Sequence, residues 1–252
     1  MKLARIWFSA AIAITIISCA QMTHIAGEDA RNYRIEARSQ DLPPDAKIHQ
    51  IIQPYQSALQ EEMDEVIGTV EKELTKGALE STLGNWVADA VYEYAERITS
   101  ENYAFGLCNS GGIRVPSIGK GPITKRKIFE LMPFDNYLVV TRMKGTILKQ
   151  LFDRMADYGG WPVSDGVRFS IEGGVAIDIS IDGKELDPSQ EYAVVLSDYL
   201  SEGGGDCHFL EDLSYENLNV YYRDALIEQV KWLTKKGAKV DANIEGRVKT
   251  KD

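Results

Sequence analysis

Val167-Arg168-Phe169-Ser170-Ile171, then Val175-Ala176-Ile177-Asp178-Ile179-Ser180-Ile181, then Asp182-Gly183: this run decides the fold class. Apolar residues at every second position (Val167, Phe169, Ile171, then Val175, Ile177, Ile179, Ile181) describe strands with one buried face. Asp-Gly between such runs is a strong signal for a tight hairpin turn. Upstream the period is different. Leu83, Trp86, Val87, Ala90, Val91, Tyr94 and Ile98 recur at steps of three and four, which predicts a helix capped by Ser81 or Thr82. Ile147, Leu148, Leu151, Phe152 and Met155 predict another, starting at Lys144-Gly145-Thr146. Thr124 can cap a short helix through Met132, and Arg223 to Lys236 reads as a last amphipathic helix before Gly246-Arg247-Val248. Tyr103 to Cys108, Tyr137 to Met143 and Tyr192 to Leu196 read as strands, each running into a loop. Helices thus alternate with both hairpin-linked and crossover-linked strands. The expected fold class is α+β (mixed α/β), without internal repeats.

Toward the N-terminus, Ile48, Ile51, Ile52, Tyr55, Leu59, Met63, Val66 and Ile67 again keep helical steps, with Pro54 predicting a kink or restart, and Val66 to Val70 looks like a short strand. Before Asp45 the character changes. Lys2 and Arg5 precede an apolar run from Ile6 to Ile17, too short for a comfortable membrane span. Ile16-Ile17-Ser18-Cys19 resembles a bacterial lipobox. That resemblance implies cleavage before Cys19 and lipidation of its thiol, hence an exported, membrane-anchored lipoprotein at a periplasmic face or the cell surface. A plain secretory signal and a buried apolar segment are the competing readings. The expected organisation is a signal peptide at 1–18, a lipidated tether at 19–44 and a single domain at 45–252.

Charge and composition narrow the chemistry. The formal charge of −10 argues against a nucleic-acid partner, which needs a basic face. Three cysteines are too few for a disulfide scaffold, and His24, His49 and His208 show no metal-ligand pattern, so no metal site is expected in the chain.

Three loops carry candidate chemistry. Asn109-Ser110-Gly111-Gly112-Ile113-Arg114 combines an amide, two glycines that permit positive φ and backbone approach to an anion, and a guanidinium suited to phosphate; a plain glycine turn with a surface arginine is the competing reading. Met132-Pro133-Phe134-Asp135-Asn136 places a ring that can stack a planar ligand or simply cover a sheet edge. In Asp198 to Asp206, a tyrosine, three glycines and Asp206 form either a ribose-binding segment or an ordinary loop. There is no dinucleotide fingerprint, P-loop, nucleophile elbow or zinc-protease motif, and a Ser110–His208 pair would lack an orienting third member.

Together with Glu80-Ser81-Thr82-Leu83-Gly84-Asn85, Leu131 to Asn136, Met143-Lys144-Gly145, Tyr199-Leu200, Gly204-Gly205-Asp206 and the closing Gly246-Arg247-Val248, these loops resemble the C-terminal, substrate-binding domain of the 5′-nucleotidase family, from about Asp45 to Val248. The resemblance implies that family's layered α/β/β/α arrangement. It implies base stacking by Phe134 and Tyr199, nucleoside or phosphate contacts from Asn109, Gly111, Gly112 and Arg114, and a ribose contact from Asp206. Here the aromatic-to-aspartate loop is one residue longer, and Lys76-Gly77 stands near the point where some members carry an arginine. The family's metallophosphoesterase domain has no counterpart in residues 20–44. The resemblance therefore implies a nucleotide-binding half, inactive alone, whose divalent metals belong to a separate metallophosphatase partner in nucleotide catabolism. A non-catalytic nucleoside- or nucleotide-binding lipoprotein is the alternative. If the loops converge on one ligand, Cys108 and Cys207, which adjoin Asn109 and Asp206, either pair as a disulfide or remain two thiols.

Overall fold

The computed structural model describes residues 45–251, so the expected signal peptide and the tether with Cys19 lie outside the described residues. The chain divides into two units, residues 1–51 and Ile52–Asp252, and the first helix, α1 (Ala46–Met63), crosses that division. It runs through Pro54 as one helix, without the restart that was one of the two expectations. Nor does it bury its apolar stripe: no residue of α1 is buried, and Ile52, Tyr55 and Leu59 are exposed.

The second unit is built on a four-stranded sheet. Its strands are β3 (Phe105–Gly106), β6 (Tyr137–Lys144), β10 (Glu191–Ser197) and β11 (Tyr215–Tyr221), in the order β11-β6-β10-β3. β6 runs antiparallel to both of its neighbours, while β10 and β3 are parallel. Alternation along the two central strands makes two cores. Leu138, Val140 and Val195 pack with α2 (Thr82–Thr99), α3 (Lys125–Leu131) and α6 (Tyr222–Lys235). Val139, Met143, Val194 and Leu196 face the other way, onto α4 (Gly145–Asp157) and a second sheet. That sheet has the order β12 (Val248–Thr250), β7 (Val167–Glu172), β8 (Val175–Ile181), β9 (Lys184–Glu185). Two small ribbons, β1 (Val66–Val70) with β5 (Gly121–Thr124) and β2 (Leu74–Thr75) with β4 (Ser117–Ile118), and a one-turn helix after β10, α5 (Asp198–Ser201), complete the unit. The architecture is the expected mixture of helices and sheets.

Local signals behave as the residue types dictate. The Ser81 hydroxyl accepts from the Gly84 amide and caps α2, and Thr124 caps α3 through the Lys127 amide. Asp182 and Gly183 both take positive φ, as a two-residue hairpin turn requires. The alternation in β8 slips, however. Asp178 sits at φ 51°, beside a register shift between β7 and β8, so Ala176 rather than Ile177 shares the buried face with Ile179 and Ile181. Ile98, expected inside, is exposed at the end of α2.

The C-terminal segment is tied to α2 by polar contacts. The Glu80 carboxylate accepts from the backbone amides of Glu245, Gly246 and Arg247 at 2.6, 2.7 and 2.9 Å, and from the Asn85 amide at 2.7 Å. Arg247, 2% exposed, forks onto both Asp89 oxygens at 2.7 and 2.8 Å and onto Glu245. Removing one member of a buried, hydrogen-bonded ion pair leaves the other charge uncompensated. Arg247→Ala is therefore expected to destabilise the protein by about 3–5 kcal/mol. The check is urea unfolding, with a lowered midpoint at an unchanged slope.

Candidate functional site

β3 and β10 are parallel and β6 is antiparallel to β10, so the ends of β3 and β10 and the start of β6 lie at one end of the central sheet. Asn109, Tyr199 and Asn136 follow or precede those strands within three residues. The topology therefore gathers three loops that are far apart in sequence. Loops gathered on a rigid sheet end are a common place for a ligand.

Asn109 opens a single 3₁₀ turn, Ser110–Gly112. The segment is pinned at several points. The Gly112 amide bonds the Asn109 carbonyl at 2.9 Å, the Ser110 hydroxyl bonds the Gly160 carbonyl at 3.0 Å, and the Arg114 amide bonds the Leu131 carbonyl at 2.9 Å. Lys76 donates its amine to the Ile113 carbonyl at 2.8 Å, so it braces the backbone beside Arg114. Gly111 and Gly112 do not adopt positive φ, contrary to the expected use of their freedom. Gly112 instead lets the Asn109 side chain close over the turn: a Cβ there would come within 3.2 Å of Asn109 Oδ1 and 3.3 Å of Cys108 Sγ.

Asn109, Gly111, Gly112, Arg114, Phe134 and Tyr199, all singled out from the sequence, line one cavity of about 270 Å³. Asn136 lines it too. It was missed as a site residue, although it stands two positions after Phe134 in the same loop. Phe134 and Tyr199 are 38% and 45% exposed, unusual for large rings beside a packed core. Among the described residues the two rings do not pair with each other or with any other ring. Both rings are therefore partly open to solvent at the cavity without an aromatic partner.

Arg114 supplies the charge. Its guanidinium bonds only the Gly111 carbonyl, at 3.3 Å, and lies 5.8 Å from the Phe134 ring centre. Of the eight arginines among the described residues, only Arg114 and Arg97 have no carboxylate within 4 Å, and Arg97 is satisfied by Gln229 and the Tyr94 and Trp232 rings. A guanidinium left without a carboxylate keeps its planar donor fork uncommitted to an ion pair.

Tyr199 is held by the glycine triplet that lengthens its loop. Its hydroxyl accepts from the Gly205 amide at 3.0 Å, and a Cβ on Gly204 would fall 2.4 Å from the Tyr199 carbonyl and 2.5 Å from its ring. The chain wraps the ring this closely only because residue 204 has no side chain. Asp206 is not among the residues lining the cavity. Its carboxylate accepts from the Tyr158 hydroxyl at 2.7 Å, with Arg154 3.9 Å away, and that bond raises the Tyr158 pKa. Asp206 itself takes φ 57°, in the left-handed region. Ser110 and His208 are likewise apart in their bonding: His208 bonds Glu211 at 2.6 Å. A larger cavity, about 510 Å³, lies between α4 and β8, but Val175, Ile177 and Leu186 wall it and no aromatic ring lines it.

The model of the 5′-nucleotidase C-terminal domain matches residues 66–212. Endonuclease YhcR of Bacillus subtilis is 27% identical over 177 residues, 65% of this chain and 14% of that protein. A 5′-nucleotidase of Vibrio vulnificus is 26% identical over 190 residues, 70% of this chain and 32% of that protein. The crystal structure of a 5′-nucleotidase precursor from Thermus thermophilus superposes with a TM-score of 0.68 at 25% identity, covering 84% of this chain and 44% of that one. The chain spans less than a third of the length of these two curated relatives. It belongs to the 5′-nucleotidase C-terminal domain family.

The two cysteines beside the site are free, so the disulfide alternative is set aside. The physical reason is the sheet between them: Cys108 packs in the core shared with α2 and α6, and Cys207 in the core shared with α4. Burial pushes both thiols up to about 12. A raised pKa means that the reactive thiolate is scarce at pH 8, on the order of one part in ten thousand. Peptide mapping after iodoacetamide treatment at pH 8 is expected to find both cysteines unmodified in the native protein and both modified in urea.

Proposed function

We propose that this member of the 5′-nucleotidase C-terminal domain family is the nucleotide-binding half of a 5′-nucleotidase-type hydrolase. A flat base slides between Phe134 and Tyr199, the Asn109 and Asn136 amides meet its polar edge or the sugar, and Arg114 takes the phosphate. The observation that carries this reading is the Arg114 guanidinium, without a carboxylate among the described residues, in the same cavity as two unpaired rings. Neither asparagine side chain makes a hydrogen bond within the described residues, which leaves both amides to a ligand. The formal charge of −10 disfavours long-range attraction of anions, so capture is local to Arg114. Asp206 reaches a ribose only if it exchanges its bond to Tyr158 for one to the sugar.

Among the described residues no cluster of three His, Cys, Asp or Glu side chains could hold a metal ion. Phosphomonoester hydrolysis by two metals polarises the phosphate and activates a water. In this proposal that centre belongs to a separate metallophosphatase chain, and the described residues bind and orient the nucleotide for it. Export and anchoring through a lipidated Cys19 would keep the protein at a membrane surface facing away from the cytosol, where the reaction consumes external nucleotides. No helix among the described residues is long and apolar enough to cross a membrane.

Calorimetry with AMP and adenosine tests the binding half. Phe134→Ala is expected to weaken both by about 1–3 kcal/mol, the worth of one aromatic stack on a base. Arg114→Ala is expected to erase the preference for AMP over adenosine, roughly tenfold or more, because a charge-assisted contact to phosphate is lost. Wild-type protein that binds neither compound would refute the reading. For the catalytic half, AMP hydrolysis is expected only when a metallophosphatase chain is added. Hydrolysis by the metal-stripped pure chain would overturn the division of labour, and AMP binding with no hydrolysis alongside any such partner would favour a binding lipoprotein.

A further inference from the structure

The two rings of the site are held in different ways. Tyr199 is wrapped by its own loop, whereas Phe134 sits on a short segment between Pro133 and β6. β11 ends at the same end of the sheet, where Tyr221 pairs with Tyr137, and α6 starts there. The second residue of α6 is Arg223, 7% exposed.

Its guanidinium edge grips the Phe134 segment. Nη1 donates to the Phe134 carbonyl at 3.3 Å and Nη2 to Asp135 Oδ1 at 2.9 Å. Its Cζ lies over the Phe129 ring, 4.1 Å from the ring centre, and 5.8 Å from that of Tyr221. One residue further on, the Tyr222 amide bonds the Asn136 carbonyl at 2.8 Å, so the start of α6 holds three consecutive residues, 134 to 136. Phe134 and Asn136 both line the cavity; Arg223 does not.

For the stability of α6 alone, this arginine is badly placed. A cation in the first turn opposes the helix dipole. The group is buried, and its Nε is a buried donor without a hydrogen-bond partner, with Asp224 Oδ1 3.6 Å away. A lysine would satisfy the charge but not the planar grip on a carbonyl and a carboxylate together. Unfavourable placements of this kind are retained where another requirement holds them.

We propose that Arg223 is a positioning residue for the base-stacking ring: without touching the ligand, it sets the backbone of Phe134, and so the ring, against the opposite wall of the cavity. This inference rests on the nucleotide reading above.

The test is a set of double-mutant cycles on the full chain with AMP as the probe, read by calorimetry. Arg223→Lys is expected to weaken AMP binding about tenfold. It is expected to add nothing in a Phe134→Ala background, where there is no ring left to position, and to keep its full effect in an Arg114→Ala background, which leaves the ring in place. Asp135→Asn, an exposed change that loosens the grip and leaves the buried guanidinium stacked, is expected to show the same pattern at smaller size, and it carries the test if Arg223→Lys does not fold. Equal losses in both backgrounds, or no loss at all from either variant, would overturn the positioning role while leaving AMP binding by the parent protein intact. A parent protein that does not bind AMP overturns the nucleotide reading instead.

Discussion

One carboxylate closes this domain. Glu80, just ahead of α2, receives three consecutive backbone amides from residues 245–247, and those amides belong to the segment that delivers Arg247 onto Asp89. Backbone amides in succession form a concavity for an anion, and here the protein's own side chain fills it. Val248 then enters the second sheet beside Phe169, and the Arg247 carbonyl accepts from the Phe169 amide. The clamp thus joins the helix layer on one face of the central sheet to the second sheet on the other. The stretches Glu80 to Asn85 and Gly246 to Val248, which carry part of the family resemblance, work in this clamp rather than at the ligand cavity.

With both layers held, the central sheet offers one end to solvent. Strand direction decides what gathers there: the exits of β3 and β10, the entry of β6, and the exit of β11 into α6. The two rings come from segments 65 positions apart, yet each is held by its own neighbourhood, the Gly204-Gly205 wrap for Tyr199 and the α6 start for Phe134. Holding each segment in this way lowers the conformational freedom left to be lost at the cavity wall. Arg114 is different in kind. It is exposed and lightly held, by one bond to the Gly111 carbonyl.

Most of the local structure was legible in the sequence, because short-range chemistry decides it. The caps at Ser81 and Thr124, the Asp182-Gly183 turn and the helical phases of α2, α4 and α6 all depend on residues within a few positions of one another. The residue types at Asn109, Arg114, Phe134 and Tyr199 could likewise be named as candidates, because a fork, an amide and two rings on glycine- and proline-marked loops are chemistry that residue type alone displays. Where periodicity was trusted beyond its reach, it failed. The apolar stripe of α1 is regular but unburied, and the period of β8 slips at the Asp178 bulge. β11, with asparagines and tyrosines and a register shift of its own, gave no strand signal.

By itself, then, the chain's order of residues determined most of the helices and strands, where the helices at Ser81 and Thr124 are capped, and which side chains are candidates for a binding site. Only the tertiary structure decided which of them share a cavity. It put Asp206 on Tyr158, separated Cys108 from Cys207 by the thickness of a sheet, and brought Arg223 onto the backbone carbonyl of Phe134, 89 positions earlier. The reason is that hydrogen bonds within a turn or helix link near neighbours, whereas strand direction and register link segments at any separation, and those emerge only when the whole sheet assembles.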